Sequence, residues 1–146
     1  MLSQATGYAI SALGYIAAMG GKPVLVKLVA EACEIPAPFL AKIVNTLSHK
    51  QLVSTQRGVG GGVAMARAPR EVTLHDVCVA LDDPIVRPRC LLGNAECTGD
   101  RMCPAHGFCS EYRTGLTRFL RETTIADIAA FETRRRWALG KPNGRL

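Results

Sequence analysis

Residues 26–67 constrain this chain most: two short apolar-faced segments run directly into a glycine-rich, basic reversal. In VKLVAEACEIPAPFLAKIVNTL, residues 26–47, small and apolar residues stand where two short helices must cross closely. The spacing predicts one helix over about Leu25 to Cys33 and another from about Pro38 to Gln51. Ala30 is small enough to let them approach, Ile35 follows the turn, and Leu40, Ile43 and Leu47 form the buried inner face. Glu34 takes the turn position that favours glycine, where a left-handed backbone costs a residue with a Cβ about 1–2 kcal/mol. Two short strands, about Val53–Gln56 and Val63–Ala66, are expected next, joined by Arg57-Gly58-Val59-Gly60-Gly61-Gly62. A hairpin in that place reads as the wing of a winged helix.

Such a unit offers two surfaces to a nucleic-acid duplex. The outer face of the second helix carries Pro38, Phe39, Lys42, Asn45 and Thr46, and its N-terminal end can approach base edges in a major groove. Pro38, Phe39, Lys42 and Asn45 are the candidates there. The run from Arg57 to Arg67 sets two positive charges around a bare tip, where Gly58, Gly60 and Gly61 let the backbone come close to phosphate. A plain helical hairpin and a plain surface turn are the alternatives for each part taken alone. Charge favours the polyanion: the chain carries a formal +6, and residues 1–72 hold seven Lys/Arg against three Asp/Glu. Aromatic residues make up only 5% of the chain, which disfavours recognition of single strands by base stacking.

On either side lie further helical signals. Ser3 can cap a helix running to about Met19, and Thr73 with Asp76 opens one that Asp82-Asp83-Pro84 terminates. From about His106 to Arg121 a longer helix is expected, with Tyr112, Leu116, Phe119 and Leu120 on one face. Thr124 and Asp127 cap a short helix bearing Ile125 and Ile128, and the basic tail from Arg134 is expected to fray.

Between these helices, CLLGNAECTGDRMCPAHGFC (residues 90–109) gathers four of the six cysteines and one of the three histidines. Soft ligands in a segment that Gly93 and Gly99 allow to reverse can wrap a metal centre. With no signal peptide and no apolar run long enough to span a membrane, a cytoplasmic protein is expected, where cysteines serve metal or redox chemistry rather than disulfides. Zinc is one alternative, although the tight knuckle of structural zinc sites is missing and Cys103-Pro-Ala-His106 supplies only half of one. A cluster-free thiol switch is another. Cys33 and Cys78 fall inside predicted helices and read as small buried apolar residues; His49 and His75 have no evident role. No nucleotide-binding loop, His-Glu-x-x-His, Cys-x-x-Cys or interpretable Ser/His/Asp set is present, so an enzyme is not expected.

Taken together, MLSQATGYAISAL, EIPAPFLAKIVNTL, RGVGGGVAMAR, VTLHDVCVALDDP, RCLLGNAECTGDRMCPAH and TTIADI resemble the Rrf2 family of bacterial winged-helix transcription regulators, to about residue 130. The resemblance implies a mainly α fold: a winged helix-turn-helix with a short β-hairpin wing and a C-terminal dimerisation helix. It divides the chain into a DNA-binding domain (1–82), a cysteine-rich cofactor loop (83–107), the dimerisation helix with a short C-terminal helix (108–133), and a basic flexible tail (134–146). The implied partners are a double-stranded operator and a second copy of the chain, with neither a membrane nor a small-molecule substrate. A repressor is expected, and Arg57 corresponds to the minor-groove arginine of the family wing.

Cluster-bearing members of that family hold an iron–sulfur centre through three loop cysteines, which correspond here to Cys90, Cys97 and Cys103. Some relatives complete the set with a histidine three residues beyond the third cysteine, here His106. Others use an acidic residue of the partner's first helix, but Gly7 and Tyr8 occupy that region and no acid precedes Glu31. His106 is therefore the expected fourth ligand, with Cys109 as the alternative, and a histidine favours [2Fe–2S] over [4Fe–4S]. An iron–sulfur carrier or electron-transfer protein could use the same loop, but would leave the wing without a purpose.

Overall fold

The structure, a computed structural model, describes residues 1–93 and 95–140. Helix α1 (Gln4–Ala18) lies at the centre, its backbone opened by Ser3, whose Oγ accepts the Thr6 N–H at 3.3 Å. Ala9, Leu13 and Ile16 of α1 are buried against α2 (Val26–Cys33), α3 (Ala37–His49) and the hairpin. The turn between α2 and α3 places Glu34 at φ 57° and ψ 41°, the left-handed conformation expected of it. Ile35 N–H then closes over the end of α2 by donating to the Ala30 carbonyl at 2.9 Å.

Strands β1 (Val53–Gln56) and β2 (Gly62–Met65) pair antiparallel, with Val53 opposite Met65 and Gln56 opposite Gly62. Strand β2 starts one residue earlier than expected because Gly62 pairs with Gln56 of β1, and Val24, ahead of α2, adds an isolated bridge to Val63. Val24 N–H donates to Val63 at 2.9 Å and receives the return bond at 2.8 Å. Gly62 makes this approach possible: at φ 142°, an added Cβ would stand 2.4 Å from the Val24 carbonyl oxygen.

Helix α4 (Leu74–Ala80) opens with the complete Thr73–Asp76 capping box. Helix α5 (His106–Glu122) packs on α4, and its apolar residues divide where one face was expected. Leu120 is buried and Leu116 half-buried, whereas Phe108, Tyr112 and Phe119 are exposed. Positions 108, 112 and 119 lie within about 40° of one another at 100° per residue, with 116 and 120 rotated away toward α4.

Helix α6 (Ile125–Ala138) is longer than the short helix expected, and Arg134, Arg135 and Arg136 belong to it rather than to a frayed tail. Tertiary contacts hold this end. Arg135 bonds Glu132 at 3.1 Å, and the Arg136 guanidinium lies 4.5 Å over the Tyr15 ring and donates to the Ala32 carbonyl at 3.1 Å. Of the expected tail, residues 141–146 lie outside the described residues. Among the described residues no helix is long and apolar enough to cross a membrane.

Candidate nucleic-acid interface and cysteine loop

On α3, Leu40, Ile43, Val44 and Leu47 face the core, which leaves Pro38, Lys42 and Asn45 exposed on the opposite side. Phe39 is different. It is 39% exposed, but its ring meets Tyr8 of α1 edge-on at 5.7 Å, so it fixes α3 against α1 as well as facing outward. At the wing, Arg57, Gly58 and Gly60 are exposed, while Gly61 is buried beneath the turn. Its N–H donates to the Gly58 carbonyl at 3.0 Å, and an added Cβ would stand 2.3 Å from the Gln56 carbonyl oxygen. Gly61 therefore shapes the turn, and the outermost side chain of the tip is Val59, which the sequence did not single out.

The cysteine loop is held in short steps. A 3-10 turn at Pro84–Val86 is followed by reciprocal main-chain contacts in which Cys90 N–H donates to Ala95 and Cys97 N–H to Pro88, each at 2.9 Å. A second 3-10 turn, Gly99–Arg101, ends in Met102 at φ 48° and delivers Cys103. Cys90, Cys97 and Cys103 are each half-buried and line one cavity of about 150 Å³, together with Gly93 and Arg101. His106, the first residue of α5, brings its Nδ1 to 3.5 Å from Cys97 Sγ. Cys109, one turn further on, lines a separate cavity of about 170 Å³ with Tyr112, Arg113 and Leu116. Among the described residues no three His, Cys, Asp or Glu side chains stand close enough to hold a single metal ion.

The donor chemistry nonetheless suits a polynuclear centre. Three cysteines lining one cavity and an imidazole beside one of them match ligand types that iron–sulfur clusters accept, and a cluster reaches ligands spread more widely than those of one ion. Cys33 and Cys78 do not line this cavity. Burial pushes the Cys33 thiol up to about 11 and the Cys78 thiol also to about 11, with the Asp83 carboxylate adding to the latter. Those shifts favour the protonated thiol at neutral pH, the opposite of what a reactive thiolate needs. Cys78 is fully buried as expected, whereas Cys33 is only half-buried and donates weakly to the Ser11 carbonyl at 3.7 Å.

A residue read from the sequence only as a helix terminator proves to be a clasp. Asp83 is buried at the entrance to the loop and accepts Ser3 N–H at Oδ2 and Ile85 N–H at Oδ1, each at 2.9 Å. Burial alone would raise its pKa, but hydrogen bonds from Thr6, Ile85 and Ser3 outweigh this and hold the carboxyl below its ordinary value. The bond to Ser3 ties the loop to the cap of α1. An Asp before Pro signals the local turn; nothing local signals a partner eighty positions away.

Comparison with known proteins agrees with this architecture. The Rrf2 family model, described as an iron-dependent transcriptional regulator, matches residues 2–130. A putative HTH-type transcriptional regulator of Aquifex aeolicus is 31% identical over 134 residues, covering 90% of this chain and 93% of its own. The HTH-type transcriptional repressor NsrR of Streptomyces coelicolor is 30% identical over 136 residues, covering 90% and 82%. Among solved structures, CymR, the global cysteine regulator of B. subtilis, superposes with a TM-score of 0.74 at 22% identity, over 90% of this chain and 97% of its own, and so shares the fold.

Proposed function

The chain belongs to the Rrf2 family of transcriptional regulators, and on that premise we propose that it is a homodimeric repressor whose affinity for a double-stranded operator is set by an iron–sulfur cluster held by Cys90, Cys97, Cys103 and His106. One observation supports the cluster: Cys90, Cys97 and Cys103 line a single small cavity, His106 Nδ1 stands 3.5 Å from Cys97 Sγ, and Cys109 lines another space. The histidine favours a [2Fe–2S] centre over [4Fe–4S]. When bound, such a group supplies one-electron redox chemistry and iron–thiolate bonds whose loss frees the loop.

The chain's own residues do the rest. Pro38, Phe39, Lys42 and Asn45 enter the major groove. Arg57 reaches the minor groove, while Gly58, Gly60 and the turn built by Gly61 bring the wing backbone to phosphate. Two reading heads are joined through α5, where exposed Phe108, Tyr112 and Phe119 share a face with Gly115, whose lack of a side chain allows two helices to cross closely. The loop runs from the Asp83 clasp on α1 to the first turn of α5, so its conformation sets how each head is held relative to the dimer helix. A change from nearly unbound to nearly fully bound operator requires about 5.5 kcal/mol of differential affinity between the two loop states.

The test is an absorption spectrum with iron and sulfide analysis after oxygen-free purification, beside an operator titration with and without the cluster. Visible absorbance, loss of that absorbance in Cys97→Ala, and a cluster-dependent operator affinity are expected. Colourless, iron-free protein that cannot be reconstituted would leave a zinc- or thiol-based regulator of the same fold. A coloured protein with no specific operator would point to a carrier.

A further inference from the structure

At the tip of the wing one residue alone carries a side chain. Of residues 58–62, all but Val59 are glycine. Val59 is fully exposed, and nothing lies within 4 Å of a Cβ added at Gly58 or Gly60 on either side of it. The bond from Gly61 N–H to the Gly58 carbonyl, at 3.0 Å, closes a turn whose two central residues are Val59 and Gly60. Gly60 takes the left-handed position of that turn at φ 74°, a conformation glycine adopts without strain, and Val59 does not share it. Below the tip, the pairing of β1 with β2 and the bridge from Val24 to Val63 fix the hairpin. Little ordering therefore remains to be done when the tip meets a duplex.

The chemistry of that one side chain is restrictive. An isopropyl group neither donates nor accepts a hydrogen bond, and the guanidinium of the neighbouring Arg57 only donates. In a minor groove, A·T and T·A pairs present acceptors alone, whereas G·C adds the 2-amino donor of guanine. A side chain without an acceptor, seated over that amino group, strips its water and returns no bond. Over an A·T pair no amino group projects, so the isopropyl group meets only sugar and base carbons.

We propose that Val59 is a specificity determinant for the operator: it seats in the minor groove beside Arg57 and selects A·T over G·C at the base pair beneath the tip, by excluding the guanine 2-amino group. Arg57 supplies charge and affinity, while Val59 supplies discrimination through the cost of the wrong pair. This inference rests on the wing reading above, in which Arg57 reaches the minor groove. It is independent of what the cysteine loop holds.

The test uses the full-length protein and a duplex that it selects from a randomised pool. Each A·T pair of one half-site is changed in turn to G·C and to inosine·C, which keeps the major-groove edge of G·C but lacks the 2-amino group. Fluorescence anisotropy should find a position where G·C weakens binding about tenfold or more while inosine·C stays within about threefold of A·T. Val59→Thr, similar in shape but bearing a hydroxyl that can accept the amino N–H, should cut that G·C penalty below about threefold. Its affinity for the selected duplex should stay within about threefold of wild type, because the side chain touches nothing in the free protein. If every position sensitive to G·C is equally sensitive to inosine·C, the pairs are read from the major groove and the assignment falls. A G·C penalty that persists in Val59→Thr belongs to Arg57 or to groove shape, and also overturns it. Arg57→Ala separates the two failures. Weaker binding with a flatter salt dependence keeps the wing on DNA and lets only the Val59 assignment fall, whereas unchanged affinity and salt slope take the wing reading down with it.

Discussion

Replacing Asp83 with Asn should loosen the cysteine loop from the DNA-binding head. The carboxylate accepts main-chain N–H groups from Ser3 and Ile85 at 2.9 Å and a hydroxyl from Thr6, all at a buried position. The amide keeps one acceptor oxygen but turns an NH₂ toward a main-chain donor. At least one charge-assisted bond is then lost and a donor is left facing a donor, a cost of about 2–3 kcal/mol. For a chain of this length that corresponds to a fall in Tm of about 4–12 °C. Its pH dependence follows from the depressed carboxyl. A group held below its unfolded value contributes its stability fully above the unfolded pKa, about 3.9, and loses it as pH falls through the folded value. The gap in stability between wild type and Asp83→Asn should therefore be constant from pH 5 to 7 and close below pH 4. Urea titrations across that range measure it. A gap under about 0.5 kcal/mol at pH 7, against the expected bond energy, would refute the clasp.

Further expectations follow from other contacts. Arg57→Ala should weaken operator binding by about 1–3 kcal/mol and flatten the salt dependence by about one unit of slope, read by anisotropy at several salt concentrations. Gly62→Ala places a Cβ against the Val24 carbonyl and should break the Val24–Val63 rung, lowering operator affinity while leaving any cluster absorbance intact; unchanged affinity counts against the wing. Phe119→Glu adds a charge to the exposed face of α5 and should shift the protein toward monomer in sedimentation experiments, whereas an intact dimer would place the interface elsewhere. Thr124→Ala removes the cap of α6 and should cost about 1 kcal/mol, visible in thermal melts.

Much of the fold was legible because its signals are local. The caps Ser3, Thr73 and Thr124 stand where their helices begin, and Glu34 takes the left-handed turn expected of it. The wing was recognisable from its glycines, and the resemblance to the Rrf2 family led to the fold class found. The end of α6 was misread, because a run of arginines looks solvated until Tyr15, Glu132 and the Ala32 carbonyl are seen beside it. The single apolar face expected on α5 failed similarly: periodicity shows which residues share a side, but not which part of that side α4 covers.

Within the cysteine loop, residue order alone determined that thiols and a histidine could be gathered, because spacing and glycines are properties of the chain itself. Only the tertiary structure decided that Cys97 meets His106, that Cys109 lines another cavity, and that Asp83 binds the cap of α1. Turns, caps and periodicity act over a few residues and leave a mark in sequence. A hydrogen bond between positions 3 and 83, or a ring beneath an arginine, depends on helices meeting in space, which no short stretch of sequence encodes.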